Sequence, residues 1–506
     1  MSTTIILDDV SFTYPTQQNP LFEHLDLSFH EGWTALSGVN GSGKTTLAML
    51  LSGKLFPDAG RIRVSGEVYY CPQLFTTIDV DDYQYLYDYS AYGMELRRLL
   101  DLDDDMLSRP DTLSGGERKR LQIFIALSRM PSLLILDEPT NHLDEYNRGL
   151  LLDALHRFDG VGVVISHDRA FCDALVKRTL IFSRPDSMMP VNVEDMPLSV
   201  TKAFAEREGR RNALLSQRAA LVGRISSLDQ THRLLDQKVR QGAQKLSKRN
   251  LSPKDHDGAG RIDLARVSGK DRKDADRKRA LESQIDRVRS DLSKMEDVRL
   301  RKSGLSSRRF NTLHSSLPVP AGSIEVPGYR LDFPAFEITP MSRTAICGVN
   351  GAGKSLLVDH LISLARAKWG DDLVAYIPQE YGVDDLERVR DAFLAMDDIQ
   401  RGRIASDLYR MEGDPCSFLE EGLLLSPGEL RKLDILLALD RTPALLVMDE
   451  PTNHLDITSV MALESMLSSS SLTLVLVSHD AAFRQALCTR TLAVVREGEC
   501  GHVVLQ

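Results

Sequence analysis

Gly38-Val-Asn-Gly-Ser-Gly-Lys44-Thr45 recurs 310 residues later as Gly348-Val-Asn-Gly-Ala-Gly-Lys354-Ser355. Both octapeptides fit the pattern G-x-x-x-x-G-K-[ST], in which glycines let successive backbone N–H groups turn toward phosphate oxygens. The lysine of such a loop reaches the terminal phosphates of a nucleotide, and the residue after it holds Mg²⁺ through its hydroxyl. The repetition therefore predicts two nucleotide-binding units in one chain.

Each loop is followed by an apolar run that ends in two acidic residues. These runs are Leu133-Leu-Ile-Leu-Asp137-Glu138 and Leu445-Leu-Val-Met-Asp449-Glu450, and Pro-Thr-Asn-His-Leu-Asp follows both. An Asp at the end of a buried strand can orient Mg²⁺, and the Glu beside it can position and polarise the attacking water. The order of motifs therefore predicts that both units hydrolyse their nucleotide, with Glu138 and Glu450 as catalytic residues.

The residues predicted to contact the nucleotide lie in the two phosphate loops. They are Gly38, Asn40, Gly41, Ser42, Gly43, Lys44, Thr45 and Thr46 in the first loop, and Gly348, Asn350, Gly351, Ala352, Gly353, Lys354 and Ser355 in the second. The hydroxyl and carboxyl groups predicted at the Mg²⁺ are those of Thr45, Ser355, Asp137 and Asp449.

The duplication is in near-constant register, because several motif residues recur at an offset of 312. Within each copy, short apolar runs such as Leu133–Leu136 and Val163–Ile165 are typical of buried parallel strands alternating with helices. The pattern predicts an α/β fold in two duplicated domains. We place the first domain at residues 1–197, an interdomain linker at 198–308 and the second domain at 309–506.

The linker differs from the domains in charge and in periodicity. Residues 201–309 contain 29 Lys/Arg and 15 Asp/Glu, a balance of +14, whereas the whole chain carries −10. Apolar residues recur with heptad-like spacing from Leu214 to Val239 and again from Leu281 to Met295. Such narrow seams predict two helices packed against each other. We expect an antiparallel helical hairpin about 60 Å long, with a basic, irregular tip at about 249–270.

Composition excludes several classes of protein. Apolar residues make up 42% of the chain and charged residues 26%, as in soluble globular proteins. We find no apolar run near the roughly 18 residues that predict a membrane span, and no signal-peptide pattern in Met1–Val10. The six cysteines form no CxxC pair, which argues against a disulfide framework, a zinc site or an iron–sulfur cluster. We expect a cytoplasmic protein.

Leu113-Ser-Gly-Gly-Glu117 resembles the signature loop of ATP-binding-cassette (ABC) ATPases, and together with the other motifs the resemblance covers about 400 residues. In that family two domains face each other head to tail, and each ATP lies between one phosphate loop and the other domain's signature. The resemblance implies ATP as substrate, Lys44 opposite the second signature, and Lys354 opposite the first. It adds these residues to the ATP contacts: Ser114, Gly115, Gly116 and Glu117, and Ser426, Gly428 and Glu429.

Further residues are assigned through the same resemblance. Gln73 and Gln379 each follow a proline and match the glutamine that senses Mg²⁺ and the attacking water. His167 and His479, each in Ser-His-Asp after an apolar run, match the switch histidine at the γ-phosphate and are predicted as catalytic. Tyr14 stands where the family stacks an aromatic ring on adenine. In the second domain Tyr329 or Phe333 is the candidate for that role, with a core aromatic as the alternative.

The second signature departs from the family pattern at Pro427. Proline has no N–H and a fixed φ. One hypothesis is that the site built on Lys44 closes less well or hydrolyses ATP more slowly than the other. The alternative is a tolerated substitution without consequence.

The repeated Asn-His-Leu-Asp and the basic linker resemble the ABC-F family. In those proteins the linker enters the ribosome through the tRNA exit site toward the peptidyl-transferase centre. The resemblance implies a monomer with its two domains paired, and a linker (201–309) that contacts ribosomal RNA and the P-site tRNA. An excess of Lys/Arg on a slender rod suits a channel walled by phosphates. Two alternatives are a solvated spacer, and the ATPase subunit of an ABC transporter with a separate membrane partner.

Two spacings bear on the branch of this family. Ser114 lies 41 positions after Gln73, which leaves no room for the arm that housekeeping ABC-F factors insert there. Only 27 residues follow His479, too few for a long C-terminal extension. A long linker without these additions resembles the antibiotic-resistance branch, which dislodges ribosome-targeting drugs. A housekeeping role or rescue of stalled ribosomes is the alternative.

Overall fold

A computed structural model describes residues 4–73, 80–109, 112–141, 143–184, 189–245, 270–296, 310–411, 413 and 426–505. The chain divides into two compact units. One unit comprises Met1–Ala203 and Lys302–Gln506, and the other is Phe204–Arg301. We call the two parts of the larger unit the first and the second domain.

The first domain combines short strands with helices. Its strands are β1 (Ile5–Phe12), β2 (Phe22–Phe29), β3 (Gly32–Gly38), β4 (Ala59–Arg63), β5 (Val68–Cys71), β6 (Leu133–Asp137), β7 (Val161–Ile165), β8 (Arg178–Ser183) and β9 (Asn192–Met196). Its α-helices are α1 (Lys44–Leu51), α2 (Tyr83–Leu86), α3 (Ala91–Leu99), α4 (Asp104–Ser108), α5 (Gly115–Ser128), α6 (Glu145–Leu155) and α7 (Arg169–Leu175).

The central sheet of the first domain has the order β5-β6-β7-β3-β8-β9, and its first five strands pair in parallel. Every residue of β6 and β7 is buried, as the continuous apolar runs predict for strands covered on both faces. A second sheet, β2-β1-β4, is antiparallel. This arrangement brings the carboxyl ends of β3, β6 and β7 to one edge, where the phosphate loop begins.

The second domain repeats that arrangement. Its strands are β10 (Leu317–Val319), β11 (Gly322–Val326), β12 (Tyr329–Phe333), β13 (Phe336–Ile338), β14 (Arg343–Cys347), β15 (Val374–Ile377), β16 (Leu445–Asp449), β17 (Thr473–Val477), β18 (Arg490–Glu497) and β19 (Cys500–Leu505). Its helices are α10 (Lys354–Trp369), α11 (Val383–Leu394), α12 (Asp398–Arg410), α13 (Pro427–Asp440), α14 (Ile457–Ser468) and α15 (Ala481–Leu487). The sheet contains β15-β16-β17-β14-β18, the counterpart of β5-β6-β7-β3-β8.

Two helices, α8 (Val200–Lys245) and α9 (Lys270–Glu296), build the smaller unit, and α8 enters it at Phe204. Its two helices run antiparallel, because Asp229, His232 and Asp236 on α8 pair in order with Arg289, Glu282 and Lys278 on α9. Ile285 and Val288 are each 5% exposed, as the seam on α9 predicts. On α8 the seam differs at its start, since Leu214 is 37% exposed. Of the irregular tip predicted at about 249–270, residues 249–269 lie outside the described part of the chain.

The predicted α/β class, with two duplicated domains and a helical segment between them, is confirmed. Among the described residues, none of the helices is both long and apolar enough to span a membrane.

Candidate functional site: two nucleotide sites

Both phosphate loops lead directly into a helix with an uncapped N-terminus. The residue before α1 is Gly43, at φ +91°, and the residue before α10 is Gly353, at φ +88°. Residues with a Cβ rarely adopt this left-handed conformation, so glycine is required at both positions. A glycine also leaves the first helical N–H groups without a side-chain acceptor. Each loop therefore presents the positive end of a helix to an anion.

The two loop lysines are held by the loops themselves. Lys44 Nζ donates to the carbonyl oxygens of Gly38 and Val39 at 2.9 and 2.7 Å. Lys354 Nζ donates to those of Gly348 and Val349 at 2.9 and 3.2 Å. Burial lowers the pKa of both ammonium groups. The loops therefore fix both ammonium groups beside the helix N-termini, where terminal phosphates bind.

The acidic strand ends lie beside these loops. Asp137 Oδ2 accepts a hydrogen bond from Tyr70 at 2.8 Å, and Thr45 also bonds to this carboxylate. In the other domain Ser355 Oγ donates to Asp449 Oδ2 at 3.4 Å. Hydroxyl and carboxylate thus meet at both sites.

The oxygen donors at each site are few. Among the described residues, no group of three His, Cys, Asp or Glu side chains could hold a metal ion. Mg²⁺ usually keeps several waters and binds through one or two carboxylates together with substrate phosphates. One hydroxyl and one carboxylate per site therefore fit Mg²⁺ that arrives with a nucleotide.

The two glutamates predicted as catalytic share an unusual backbone conformation. Glu138 has φ +47° and Glu450 has φ +46°, although neither is glycine. Within the described residues, Glu138 Oε2 and Glu450 Oε1 are buried without a hydrogen-bond partner. Burial raises the pKa of Glu138, and it raises that of Glu450 to about 7. A strained, desolvated carboxylate beside a phosphate loop is suited to accept a proton from water.

The two histidines predicted as switch residues approach these glutamates. His167 Nε2 lies 3.4 Å from Glu138 Oε1, and His479 Nε2 lies 3.5 Å from Glu450 Oε1. Burial lowers the pKa of both imidazoles to about 3, so they are neutral at pH 7. The backbone N–H of His479 also donates to Glu450 Oε2 at 3.0 Å, which fixes the switch loop against the carboxylate.

Two cavities of about 610 Å³ each contain these groups. The Lys44 cavity includes Gln73, and the Lys354 cavity includes Gln379. The second signature lines the Lys44 cavity with the side chains or backbone of Ser426, Pro427, Gly428 and Glu429. The first-domain residues that line the Lys354 cavity are different ones: Thr140, Asn141, Leu143, Arg148, His167 and Asp168. The structure therefore brings a signature to Lys44, whereas Ser114, Gly115, Gly116 and Glu117 are outside the lining of the Lys354 cavity.

Both signatures begin their helices with the same cap. Ser114 and Ser426 accept from the N–H of Glu117 and Glu429, and each glutamate accepts in return from its serine's N–H. The two glutamates predicted to contact ATP therefore also cap their own helices.

The Lys44 cavity closes on a direct contact between the domains. Asn40 Nδ2 donates to the carbonyl oxygen of His454 at 2.9 Å. A Cβ at Gly428 would lie 2.5 Å from that same oxygen and 3.1 Å from Asn40 Nδ2. A side chain at the signature glycine would therefore clash with the His454 backbone of its own domain, at the carbonyl oxygen that Asn40 reaches from the first domain.

The aromatic residues occupy comparable places. Tyr14 lines the Lys44 cavity and its hydroxyl bonds to Thr46 at 2.8 Å. Tyr329 lines the Lys354 cavity and donates to the carbonyl oxygen of Ala352 at 2.8 Å. Phe333 is 6% exposed and belongs to the second domain's core. Of the two candidates in the second domain, only Tyr329 reaches the cavity lining.

The sequence reasoning missed two arginines. Arg184 lines the Lys44 cavity and Arg496 lines the Lys354 cavity. Arg496 Nη1 donates to Gly351 in the phosphate loop at 3.2 Å, and its guanidinium lies over the Tyr329 ring. The two positions are related by the offset of 312, so an alignment of the two halves could have found them.

Two stretches of the chain, 22–141 and 331–453, match the family model described as ABC transporter. The chain carries two ATP-binding-cassette domains. Each stretch contains one phosphate loop and one acidic strand end, and the chain is an ATPase.

Curated ABC relatives extend over nearly the whole chain. Ribosome protection protein VmlR of Bacillus subtilis is 26% identical, covering 98% of this chain and 88% of the relative. Erythromycin resistance ATP-binding protein MsrA of Staphylococcus epidermidis is 26% identical, covering 89% of each. ATP-binding protein Uup of Caulobacter vibrioides is 28% identical, covering 95% of this chain and 75% of the relative. These relatives are ABC-F proteins, so the predicted resemblance to that family is confirmed.

Solved structures share the tandem fold. The archaeal ribosome recycling factor aABCE1, in complex with stalk protein aP1, superposes with a TM-score of 0.60. It is 19% identical and covers 98% of this chain and 89% of that one. At this identity the match supports the fold of this chain and nothing about its function.

Proposed function

We propose that this tandem ABC protein is an ATP-dependent ribosome-binding factor that acts in the cytoplasm and protects the ribosome from antibiotics. The observation that carries this is the basic helical pair between two ATPase domains, in a chain similar over 89–98% of its length to proteins named for ribosome protection, erythromycin resistance and tylosin resistance. The linker (201–309) carries a net charge of +14, whereas the whole chain carries −10. The linker is therefore opposite in charge to the ATPase domains. Such a rod is suited to bind phosphate backbones through charge and shape.

The ATPase cycle supplies the switch in this proposal. Two ATP molecules bind at Lys44 and Lys354 and hold the domains closed, in the form that binds the ribosome. Bound Mg²⁺ would neutralise phosphate charge, with Thr45 and Asp137 at one site and Ser355 and Asp449 at the other as its protein ligands. ATP acts by favouring one of two conformations, so binding drives the action and hydrolysis resets it.

The chemical step in this proposal depends on buried groups. Glu138 and Glu450 orient the attacking water and accept its proton, while neutral His167 and His479 contact the γ-phosphate. Gln73 and Gln379 close each site beside the water. With the linker (201–309) inserted at the tRNA exit site, its tip acts on the P-site tRNA or on the drug pocket. The protein leaves the ribosome after ATP is hydrolysed.

The first test measures ribosome binding directly. The double variant Glu138→Gln/Glu450→Gln should co-sediment with ribosomes in ATP but not in ADP, because it holds ATP without hydrolysing it. No association in either nucleotide would contradict the proposal and favour a transport ATPase with a membrane partner.

A second test assigns the binding to the helical pair. In the double-variant background, four exposed arginines of α8 and α9 are changed to Gln: Arg218, Arg224, Arg279 and Arg287. The matched control changes four exposed arginines of the ATPase domains: Arg61, Arg63, Arg366 and Arg390. Each lost phosphate contact should reduce the slope of log affinity against log salt concentration by about 1. Equal losses in both variants would count against the linker as the ribosome-binding element.

A further inference from the structure

One arginine of the first domain joins three loops around the ATP sites. Arg148 lies on α6, four residues after Asp144, the last residue of the repeated Pro-Thr-Asn-His-Leu-Asp sequence. Its Nε and Nη2 donate to the carbonyl oxygen of Leu143 at 3.2 and 3.1 Å. Its Nη1 donates to the carbonyl oxygen of His479 in the second domain at 2.8 Å and lies 2.7 Å from Asp168 Oδ2. A single guanidinium therefore contacts both switch loops.

A neighbouring arginine makes a parallel connection. Arg169 follows Asp168, and its Nη2 donates to Glu464 of the second domain at 2.7 Å. The same nitrogen lies 3.7 Å from Asp480 Oδ2, beside the other switch histidine. The side chains of Arg148 and Arg169 are 14% and 8% exposed, so water screens these charges little.

The second domain does not repeat this pair of arginines, although its Arg484 donates to Glu145 of the first domain at 3.3 Å. At an offset of 312, the counterpart of Arg148 is Val460 and that of Arg169 is Ala481. Neither side chain has a hydrogen-bond donor, so these two positions do not return the same contact to the His167 carbonyl. The two domains share their ABC motifs, but the contacts of Arg148 and Arg169 with the second domain have no equivalent in the opposite direction.

We propose that Arg148, supported by Arg169, is a positioning residue that couples the two ATP sites. It holds the His479 loop of one site and the Asp168 side chain, next to His167, of the other. When ATP closes one site, Arg148 holds the switch loop of the other site in the position that binds ATP. The first ATP therefore raises the affinity for the second, and binding is cooperative. The proposal rests on the assignment of the two ATP sites and is independent of the ribosome.

The test measures equilibrium binding of ATP without turnover. In the Glu138→Gln/Glu450→Gln background, radiolabelled ATP is titrated against the purified full-length chain with Mg²⁺. Coupling between sites typically changes affinity about 5- to 150-fold. The parent should bind two ATP with a Hill coefficient above 1. Arg148→Met should weaken the second binding event at least about five-fold and bring the Hill coefficient to 1, while Arg148→Lys should retain part of the coupling.

The matched control is Arg157→Met. Arg157 pairs with Glu95 inside the first domain at 3.1 Å and is 53% exposed, so its loss should leave the Hill coefficient unchanged. If Arg148→Met does not fold, Asp168→Asn replaces it. The amide oxygen can still cap α7 at the N–H of Phe171, whereas the charge facing Arg148 is gone.

Three results would overturn the inference. They are a parent without cooperativity, an Arg148→Met protein with an unchanged Hill coefficient, and equal weakening of both binding events. The last would make Arg148 a residue of domain packing alone. Failure of the parent to bind two ATP would also reject the site assignment, whereas failure to bind ribosomes would leave the coupling standing.

Discussion

The Lys44 site and the Lys354 site share their motifs but differ in their surroundings. Asp144 and Asp456 occupy equivalent positions, 312 residues apart. Asp144 accepts a hydrogen bond from the phosphate-loop N–H of Asn350 at 3.3 Å. Asp456 instead pairs with Lys432 at 2.6 Å, and both side chains are almost wholly buried. The comparison teaches that a duplicated motif fixes the geometry inside a domain, whereas unrepeated neighbours decide how each site is closed.

The largest expected difference lies in turnover. Glu138→Gln should leave only the Lys354 site active, and Glu450→Gln only the Lys44 site, because loss of a general base lowers turnover about 10²- to 10⁴-fold. We expect a lower residual rate from Glu450→Gln, since the signature at Lys44 contains Pro427, which has no N–H. Steady-state ATP hydrolysis measures this. Equal residual rates would break the comparison.

The next effect concerns stability at the Lys44 site. Lys432→Met leaves Asp456 buried and unpaired, which should cost about 3–5 kcal/mol of unfolding free energy. Its counterpart Arg120 pairs with Asp101, which is 61% exposed, so Arg120→Met should cost less. Urea unfolding compares the two variants.

A rescue variant separates charge from shape. Asp456→Asn removes the unpaired charge but keeps an oxygen for the N–H of Ser459. Combined with Lys432→Met, it should restore part of the stability. Equal costs for Lys432→Met and Arg120→Met, or no rescue, would show that the pair does not distinguish the sites.

A smaller effect is expected from the signature glycines. Gly428→Ala places a Cβ against the His454 backbone of its own domain, at the carbonyl oxygen that accepts from Asn40 of the first domain, and overpacking of this kind costs about 1–3 kcal/mol. In Gly116→Ala the nearest atom is the Asn147 side-chain amide at 2.9 Å, which can rotate away. ATP turnover in single-site backgrounds should therefore fall more for Gly428→Ala. The opposite order would indicate that the Lys44 interface is the looser one.

The smallest expected effect sharpens the comparison at the aromatic rings. Tyr14→Phe loses the bond to the Thr46 hydroxyl, and Tyr329→Phe loses the bond to a backbone carbonyl. Each should cost about 1 kcal/mol of unfolding free energy. Because the ring stays, ATP affinity should hold in both, whereas Tyr14→Leu and Tyr329→Leu should weaken it. Unchanged ATP affinity in a Leu variant would show that the ring at that position does not contact ATP.

Much of the fold and of each half-site was predictable from the chain. Glycine at positions 43 and 353, followed by Lys and a hydroxyl residue, indicates a phosphate loop because few residues tolerate positive φ. The acidic strand ends were predictable because the apolar runs before them need burial. Arg184 and Arg496 were missed, since an arginine near a strand end has no local signature.

The sequence by itself determined the two domains, their parallel sheets and the charged helical pair, because periodicity and turn chemistry act over a few residues. Only the tertiary structure decided which partner each equivalent side chain meets. Asp144 meets a loop N–H, Asp456 meets Lys432, and Arg148 reaches across to His479. These contacts join residues that are 24 to 331 positions apart. Their geometry depends on how two packed domains face each other, which no local pattern encodes.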